Sequence, residues 1–395
     1  MTTSGPRPPS LNCSAGSTKP RIAIVHDWFI TIGGAEKVVK QLLLEFPDAD
    51  VFCCFDHFTD EQRREILDGR HPKSTHLGSI PFSKRYYRAL TLIFYRAMES
   101  LDLSGYDLII SSSHAVAKSV RKQPWQQHYC YCHTPMRYVW NMRKTYLEQV
   151  PAPLRKLAMH RINSIRNWDL DTADRVDHFI ANSAFIGERI LTNYGRASEV
   201  IHPPVDTQYF QPAVGDDGSP EDEPYYLVVS RLVQYKRIDL IVNAFRDLPD
   251  KRLVVIGAGP QRAALERSAG TNVSFLGHCT TRLIRRYMQH AEAGIFAAIE
   301  DFGITCVETQ ACGTAVIAYD FGGYRETVQH GTTGLLYPEQ TSAGIAEAIH
   351  RMEATREQFD PWAIRQHSLR FGSERFRAEI KGAIMGKPVE HGVMA

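Results

Sequence analysis

The sequence predicts an α/β protein made of two doubly wound units, each a parallel β-sheet with helices on both faces. Short apolar runs alternate with helical or turn-rich segments through the first half of the chain, and the alternation restarts after an acidic stretch at residues 213–224. Such alternation is typical of parallel strands joined by crossover helices. A chain of 395 residues also exceeds the size at which one hydrophobic core stops growing, so two domains are expected.

The composition is that of an ordinary globular protein, with 43% hydrophobic and 23% charged residues. The net charge of +2 indicates no nucleic-acid partner. The charge is unevenly distributed, however, because residues 70–166 contain 16 Lys and Arg against 4 acids. This local excess predicts that the first half of the chain meets an anionic partner.

Targeting and redox signals are also informative. No stretch reaches the roughly 18 apolar residues of a membrane span, and residues 1–20 are expected to form a disordered tail rather than a signal peptide. The eight cysteines fit no disulfide framework and are expected to be reduced, which favours the cytoplasm. The segment Cys130-x-Cys132-His133 lacks a second ligand pair at zinc-finger spacing, so no metal is expected there.

The first unit is expected at residues 21–212. Its first strand, RIAIVHDWF, leads into a Gly-Gly turn and an amphipathic helix within TIGGAEKVVKQLLLEF. Gly33 and Gly34 have no Cβ, so the backbone can approach a ligand closely there, although glycine at such a turn can equally serve packing alone. The runs VFCCF, DLIISSS, QHYCYC and DHFIANS are the further strands.

His133 directly follows the strand QHYCYC. In open α/β sheets, ligands bind beyond the carboxyl ends of the strands, which makes His133 a candidate site residue, although a His at a strand end can also be structural. Arg137 and Tyr138 add a cation and an aromatic face suited to a sugar ring. Trp140 could also stack on a sugar ring, but packing in the core explains its presence equally well.

The segment at residues 81–101, PFSKRYYRALTLIFYRAMESL, places basic and aromatic residues on a helical period. It is predicted to be a helix, and two interpretations remain open. The helix can lie on an anionic membrane surface and guide a lipid acceptor. Alternatively, it lies on the protein core and extends its long polar side chains into water.

The second unit is expected at residues 225–364, after a linker at residues 213–224. Arg231 and Lys236 stand on the loop after its first strand, YYLVVS. An Arg supplies a planar fork and a Lys a point charge, so the two can converge on a diphosphate. The alternative is a solvated basic turn.

A second glycine motif follows the next strand of this unit, where Gly257-x-Gly259 opens a helix. A dinucleotide-binding fingerprint would require a third glycine at position 262, where the chain has Arg262, and an acid after the following strand, VSFLGH. The pattern therefore argues against a nicotinamide or flavin cofactor.

Two carboxylates, Glu300 and Glu308, flank a Phe-Gly turn in the segment EDFGITCVE. The preceding run AEAGIFAAI is predicted to be a buried strand, and the following residues are predicted to begin a helix. A helix N-terminus offers unpaired backbone N–H groups and a partial positive charge, which suit a phosphate. One loop could therefore hold a sugar, a diphosphate and a ribose.

These motifs, in this order, resemble those of family 4 glycosyltransferases, and the resemblance covers residues 21–385. It implies the GT-B fold, with two Rossmann-like doubly wound domains facing a central cleft. The details VHDW, GGAE and CHTPMRYVW are most similar to bacterial exopolysaccharide mannosyltransferases. Those enzymes use GDP-mannose and extend a polyprenyl-diphosphate-linked oligosaccharide.

The resemblance implies a retaining transfer of a hexose, expected to be mannose, without a metal or other cofactor. The expected catalytic residues are His133, which contacts the donor sugar, Arg231 and Lys236, which meet the leaving diphosphate, and Glu300, which binds sugar hydroxyls. Glu308 is expected to bind the ribose. The full set of expected binding residues is Gly33, Gly34, Phe302, Gly303, Ile304, Thr305 and Glu308 for the donor and Asp27, Arg137 and Tyr138 for the acceptor.

The resemblance also implies that residues 365–395 form a helix returning to the first domain, with Phe371, Phe376 and Ile380 on one side. The expected location is the cytoplasm, peripheral on the inner face of the cell membrane. Three alternatives stay open. They are a nucleotide-sugar epimerase or hydrolase on the same fold, a transferase that uses a UDP-sugar, and a non-catalytic sugar-nucleotide-binding protein.

Overall fold

The chain forms two compact units, one made of Met1–His202 with Glu374–Ala395 and the other of Pro203–Ser373. The computed structural model describes residues 19–141, 143–148, 150–215 and 218–386. The predicted tail at residues 1–20 lies outside these residues except for its last two.

The boundary between the units differs from the predicted one. It falls after His202 rather than at residue 212, and residues 213–224 belong to the second unit instead of joining two units. Glu221 in this segment accepts a hydrogen bond from Arg252 at 3.1 Å and from the Tyr287 hydroxyl at 2.8 Å. The acidic composition that suggested a linker therefore serves ion pairing within the second unit.

The first unit contains a seven-stranded parallel sheet with the order β3-β2-β1-β4-β5-β6-β7. Its strands are β1 Ile22–Phe29, β2 Asp50–Asp56, β3 Lys73–Ser74, β4 Leu108–Ser113, β5 Gln127–Cys132, β6 His178–Ala181 and β7 Ser198–Val200. Its α-helices are α1 Gly34–Glu45, α2 Asp60–Leu67, α3 Ser83–Ile93, α4 Arg143–Glu148, α5 Arg155–Ala173 and α6 Ala184–Tyr194.

Local signals explain where these helices begin and end. The side chain of Thr59 accepts a hydrogen bond from the backbone of Gln62 at 3.3 Å and caps α2. Ser183 caps α6 in the same way, through Ile186 N–H at 3.1 Å. The α6 helix ends at Gly195, whose φ of 65° is the left-handed conformation that glycine adopts without steric cost.

The second unit contains a six-stranded parallel sheet with the order β10-β9-β8-β11-β12-β13. Its strands are β8 Tyr225–Val229, β9 Arg252–Ile256, β10 Val273–Gly277, β11 Gly294–Phe296, β12 Val316–Tyr319 and β13 Gly334–Tyr337. Its α-helices are α7 Ile238–Arg246, α8 Arg262–Ser268, α9 Thr281–His290, α10 Ile304–Ala311, α11 Tyr324–Thr327, α12 Ser342–Ala354 and α13 Pro361–Leu369.

The last helix, α14 Ser373–Met385, begins at the boundary and packs on the first unit. Phe376 and Ile380 are fully buried in the core that contains β1 and α1. Phe371 precedes the helix and packs in the second unit against Phe302 instead, with ring centroids 5.3 Å apart. Phe371 was predicted to share one side of the returning helix with Phe376 and Ile380. This prediction is wrong, because the chain passes from the second unit to the first between Phe371 and Phe376.

The predicted helix at residues 81–101 is shorter than expected. The α3 helix covers Ser83–Ile93, is kinked at Tyr86, and is followed by a separate 3₁₀ turn at Ala97–Ser100. Ala97 and Met98 of this turn are buried in the core of the first unit. No described helix is long and apolar enough to cross a membrane.

The described cysteines are free, and all of them except Cys279 are buried. Cys130 and Cys132 lie in an apolar cluster with Phe179 and Ile186. The hydrogen bond with Cys130 raises the pKa of Cys132 well above its usual value, and burial raises it further. These two thiols are core residues of the first unit.

Candidate functional site

The second unit places its predicted site residues where the strand order changes direction. Strands β9 and β10 lie on one side of β8, and β11 to β13 lie on the other. Arg231 and Lys236 follow β8, and Glu300 follows β11, so the two loops leave adjacent strands at the same edge. Ligands of open α/β sheets bind at such a switch point.

Two glycines hold the loop after β8 in place. A Cβ on Gly257 would lie 1.8 Å from Ser230 O, and one on Gly259 would lie 2.3 Å from Leu232 O. The backbones are joined by hydrogen bonds from Ser230 N to Ile256 O and from Leu232 N to Ala258 O, both at 3.0 Å. The Gly-x-Gly motif therefore shapes the loop that carries Arg231, which explains the motif without a dinucleotide.

Lys236 and Glu300 contact each other across the switch point. Lys236 Nζ donates to Glu300 Oε1, and the two side chains are 20% and 16% exposed. Arg231 is exposed and donates from Nη2 to the Tyr235 hydroxyl at 2.6 Å. The Tyr235 ring centroid lies 5.6 Å from Lys236 Nζ, within cation–π range.

Tyr235 therefore contacts both predicted phosphate-binding cations, and sequence reasoning did not select it. The position of Tyr235 between Arg231 and Lys236 in the sequence could have indicated this contact.

The Phe-Gly turn after Glu300 is fixed by close backbone approach. Gly303 has φ 95°, and a Cβ there would lie 2.8 Å from the Tyr324 ring. Gly323 donates its N–H to Glu300 O at 2.9 Å, and a Cβ on Gly323 would lie 2.4 Å from Phe302 Cα. Glycine is required at position 303 by its left-handed backbone and the adjacent Tyr324 ring, and at position 323 by direct backbone contact with Phe302.

The remaining predicted donor residues lie on α10 or just before it. Phe302 is 3% exposed and packs in an apolar cluster, so its side chain anchors the turn and only its backbone is available to a ligand. Ile304 and Thr305 form the first turn of α10, and Gly303 provides no side-chain cap for the N–H groups of that turn. Glu308, one turn further, is buried at 7% exposure.

In the first unit, Gly33 begins α1. Its N–H donates to Glu36 Oε2 at 2.9 Å, which is one half of a capping box because glycine has no side chain to supply the other half, and Gly34 is the first helical residue. A Cβ on Gly33 would lie 3.1 Å from Glu36 Oε2, so close packing is one reason for glycine. Glu36 Oε1 also lies 3.5 Å from Nε2 of the fully buried His26.

His133 is connected to the same buried polar group. Its Nε2 lies 2.8 Å from Ser112 Oγ, and Ser112 Oγ lies 3.2 Å from Nδ1 of His26. Burial lowers the pKa of His133 well below its usual value, and the charges of His114 and His26 lower it further. The His133 imidazole is thus held neutral, with one nitrogen bound to the Ser112 hydroxyl.

Asp27 has no access to solvent. Its carboxylate accepts backbone hydrogen bonds from His114, Ala115, Val116 and Ala117 at distances of 2.5 to 3.1 Å. Its Oδ2 lies 2.9 Å from His114 Nδ1 as well. Both oxygens of Asp27 thus already have protein partners, and its predicted role in orienting the acceptor stays a prediction.

Arg137 and Tyr138, the other predicted acceptor residues, are partly buried shortly after β5. Tyr138 packs beside the core cluster of the first unit. Trp140 donates from Nε1 to Asp169 Oδ2 at 2.8 Å, so of its two interpretations core packing describes it.

His114 is a further candidate site residue in this unit that the sequence motifs did not indicate. It directly follows β4, and its side chain is 26% exposed. Its position directly after the strand DLIISSS could have predicted it, because the same position after a strand made His133 a candidate.

No group of three or more His, Cys, Asp or Glu side chains in the described part of the chain is arranged to hold a metal ion.

Two family models match the chain in succession. Residues 32–209 match the family described as Glycosyltransferase Family 4, and residues 213–364 match Glycosyl transferases group 1. Each half of the chain thus matches a family of glycosyltransferase domains.

Individual relatives are more distant. A D-inositol 3-phosphate glycosyltransferase of Streptomyces bingchenggensis is 29% identical over 56% of this chain and 59% of its own length. One from Geodermatophilus obscurus is 30% identical over 50% of both chains. The chain spans about half the length of the curated relatives it matches.

Solved structures share the fold over nearly the whole chain. Sucrose-phosphate synthase from Thermosynechococcus elongatus has a TM-score of 0.68 and 21% identity, covering 92% of this chain and 98% of its own. Anabaena HepE in complex with UDP has a TM-score of 0.67 and 17% identity, covering 93% of this chain and 100% of its own. These structures confirm the predicted fold class, two Rossmann-like parallel-sheet domains of GT-B type.

Proposed function

We propose that this protein is a retaining glycosyltransferase that moves a hexose from a nucleoside diphosphate sugar to an acceptor hydroxyl. The observation that carries the proposal is the contact of Lys236 with Glu300 at the switch point of the second unit. A cation suited to a diphosphate and a carboxylate suited to sugar hydroxyls lie side by side there, next to the glycine-initiated helix α10.

In the proposed reaction, the bond between the anomeric carbon and the diphosphate oxygen breaks, and a bond to the acceptor oxygen forms on the same face. The acceptor proton passes to the departing phosphate oxygen. Arg231, Lys236 and the first N–H groups of α10 stabilise the negative charge that grows on the diphosphate. No metal is required in this scheme, because these groups supply the positive charge.

We further propose mannose from GDP-mannose as the donor and a polyprenyl-diphosphate-linked oligosaccharide as the acceptor. The support is the similarity of VHDW, GGAE and CHTPMRYVW to exopolysaccharide mannosyltransferases. A UDP-sugar is the second candidate donor, and it is favoured by the likeness of the fold to HepE, whose structure contains UDP.

A lipid acceptor requires the protein to meet a membrane, and one surface of the first unit has the right chemistry. Large apolar side chains are exposed around α3 and at the start of α5, including Phe82, just before α3, at 78% and Leu157 at 68%. Arg161 on α5 donates to Ile93 O at the end of α3, so the two helices are neighbours. Exposed basic residues accompany them, namely Lys84, Arg85, Arg155 and Lys156.

Apolar side chains among cations are the composition of a surface that lies on anionic lipid. We therefore propose peripheral attachment of the protein to the inner face of the cell membrane through α3 and the start of α5.

The test is to incubate the purified protein with radiolabelled GDP-mannose, UDP-glucose and related donors, with and without a bacterial lipid extract. We expect label to enter the organic phase only with lipid and with one donor. Release of free sugar or of an epimer without any acceptor would establish the hydrolase or epimerase alternative instead. Absence of any donor turnover would refute the catalytic proposal.

A further inference from the structure

His114 lies at the switch point of the first unit, and the scheme above assigns it no role. Strands β2 and β3 lie on one side of β1, and β4 to β7 lie on the other. His114 follows β4 directly, beside the end of β1. This is the position in an open α/β sheet where a ligand is expected.

A buried carboxylate fixes the backbone of His114 and lies beside its ring. Asp27 Oδ2 accepts from His114 N at 2.6 Å and lies 2.9 Å from His114 Nδ1, although the two atoms lack the geometry of a hydrogen bond. Because Nδ1 is buried beside Asp27, Nε2 is the ring nitrogen that remains for a ligand. Nε2 makes no hydrogen bond to any residue within the described ranges, and the side chain is 26% exposed.

The charges around His114 favour its protonated form. Burial alone would lower the pKa of His114, but the carboxylates of Asp27 and Glu36 raise it above its usual value against an opposing effect of Arg137. Asp27 itself stays ionised, because His114 and the backbone hydrogen bonds outweigh the effect of burial and lower its pKa.

Neighbouring rings complete the surroundings. The Trp28 ring meets His114 edge-on, with centroids 4.8 Å apart, and the rings of His26 and His133 lie 6.1 and 6.3 Å away. His133 is held neutral. His114 thus differs from His133 in the charge state that its surroundings favour, although both are partly buried and both follow strands of one sheet.

We propose that His114 is a phosphate-binding residue whose Nε2–H donates to a phosphate oxygen of a substrate. This inference rests on the proposed function, since transfer from a nucleoside diphosphate sugar supplies such a phosphate. The phosphate can come from the donor nucleotide or from a phosphorylated acceptor. A charge-assisted hydrogen bond from an imidazolium suits either.

The direct test observes the imidazole in the full chain with isotope-labelled histidine and assigns its resonance with His114→Gln. On titration with inorganic pyrophosphate, we expect the His114 resonance to shift and its pKa to rise. His178, half-buried at the start of β6, is the reference and should not respond. This readout needs no sugar transfer, so it stands even if no donor turns over.

Two further titrations distinguish the sources of the phosphate. A response to GDP or UDP assigns His114 to the donor diphosphate. A response to farnesyl diphosphate, a short and soluble polyprenyl diphosphate, without a response to nucleotide assigns it to the acceptor. Lack of response to all of these probes would overturn the proposal.

Affinity provides an independent measure. We expect His114→Gln to weaken binding of the responding probe about tenfold, as loss of one hydrogen bond to a charged group does. Wild-type affinity should fall as pH rises through the raised pKa of His114 and the imidazolium loses its proton, whereas the variant should lack this part of the pH dependence. His178→Gln is the matched control. Equal affinity of His114→Gln and the wild type would refute the role.

Discussion

Replacing Lys236 by Met removes an ammonium group from the second unit and keeps most of the side-chain volume. In the structure this group contacts Glu300, and the two side chains are only 20% and 16% exposed. The carboxylate left behind is partly buried without its partner. We therefore expect the variant to lose about 1 to 2 kcal/mol of unfolding free energy, within the usual range for an unsatisfied polar group.

The effect on sugar transfer should be larger than this structural effect alone explains. If Lys236 also meets the leaving diphosphate, its loss should lower kcat/KM at least about tenfold, which corresponds to about 1.4 kcal/mol of transition-state stabilisation. Arg231→Ala should lower it by a similar factor. Arg231 is exposed, so its replacement should leave the unfolding free energy nearly unchanged.

The assay is transfer from the donor found active in the panel, measured alongside urea unfolding. Lys251→Met is the matched control, since Lys251 pairs with Glu353 at 2.7 Å and is 24% exposed. It precedes β9, at the opposite end of the strands from the switch-point loops. Near-normal kcat/KM in Lys236→Met, equal to that of Lys251→Met, would move the diphosphate site elsewhere.

Further changes test the other parts of the scheme. Glu308→Ala should weaken binding of the nucleoside diphosphate in calorimetry, and unchanged affinity would remove its role in ribose recognition. Activity should survive EDTA; loss that added Mg²⁺ or Mn²⁺ restores would refute the metal-free scheme. The protein should sediment with anionic liposomes, and this binding should weaken as salt is added. Replacing Lys84, Arg85 and Arg88 by Glu should weaken the binding free energy by up to about 1 kcal/mol per charge. A protein that does not bind the liposomes at low salt would favour a water-soluble acceptor. Asp27→Asn should cost about 3 kcal/mol at pH 7, because an amide cannot accept all the hydrogen bonds of the carboxylate. The folded-state pKa of Asp27 is lowered, so its stabilising effect is present at neutral pH and is lost as pH falls below about 4. The unfolding free energies of wild type and variant, measured with urea, should therefore converge as pH falls. A difference that stays constant with pH would contradict this account.

The fold was predictable because its signals are local. Alternating apolar runs and helical segments predicted two parallel sheets, and each predicted site motif does follow a strand. The Phe-Gly turn before α10 could likewise be recognised, because the left-handed backbone at position 303 requires glycine.

The boundaries of the units and the packing partners of individual side chains were harder to predict from the sequence. Residues 213–224 have the composition of a linker, yet Glu221 pairs with Arg252, a partner that only the folded second unit brings near. Phe371 and Phe376 share a helical period in the sequence, but they pack in different units. Composition and period do not record which partner a side chain meets.

The sequence by itself determined the fold class, the order of the motifs and the chemistry that each motif could offer, since these depend on residue types and short spacings. Tertiary structure decided which of those residues meet. It paired Lys236 with Glu300, 64 positions apart, and used Asp27 to hold His114, 87 positions away. Contacts over such separations arise where parallel strands end at a common edge, and strand order is a property of the sheet that no local pattern encodes.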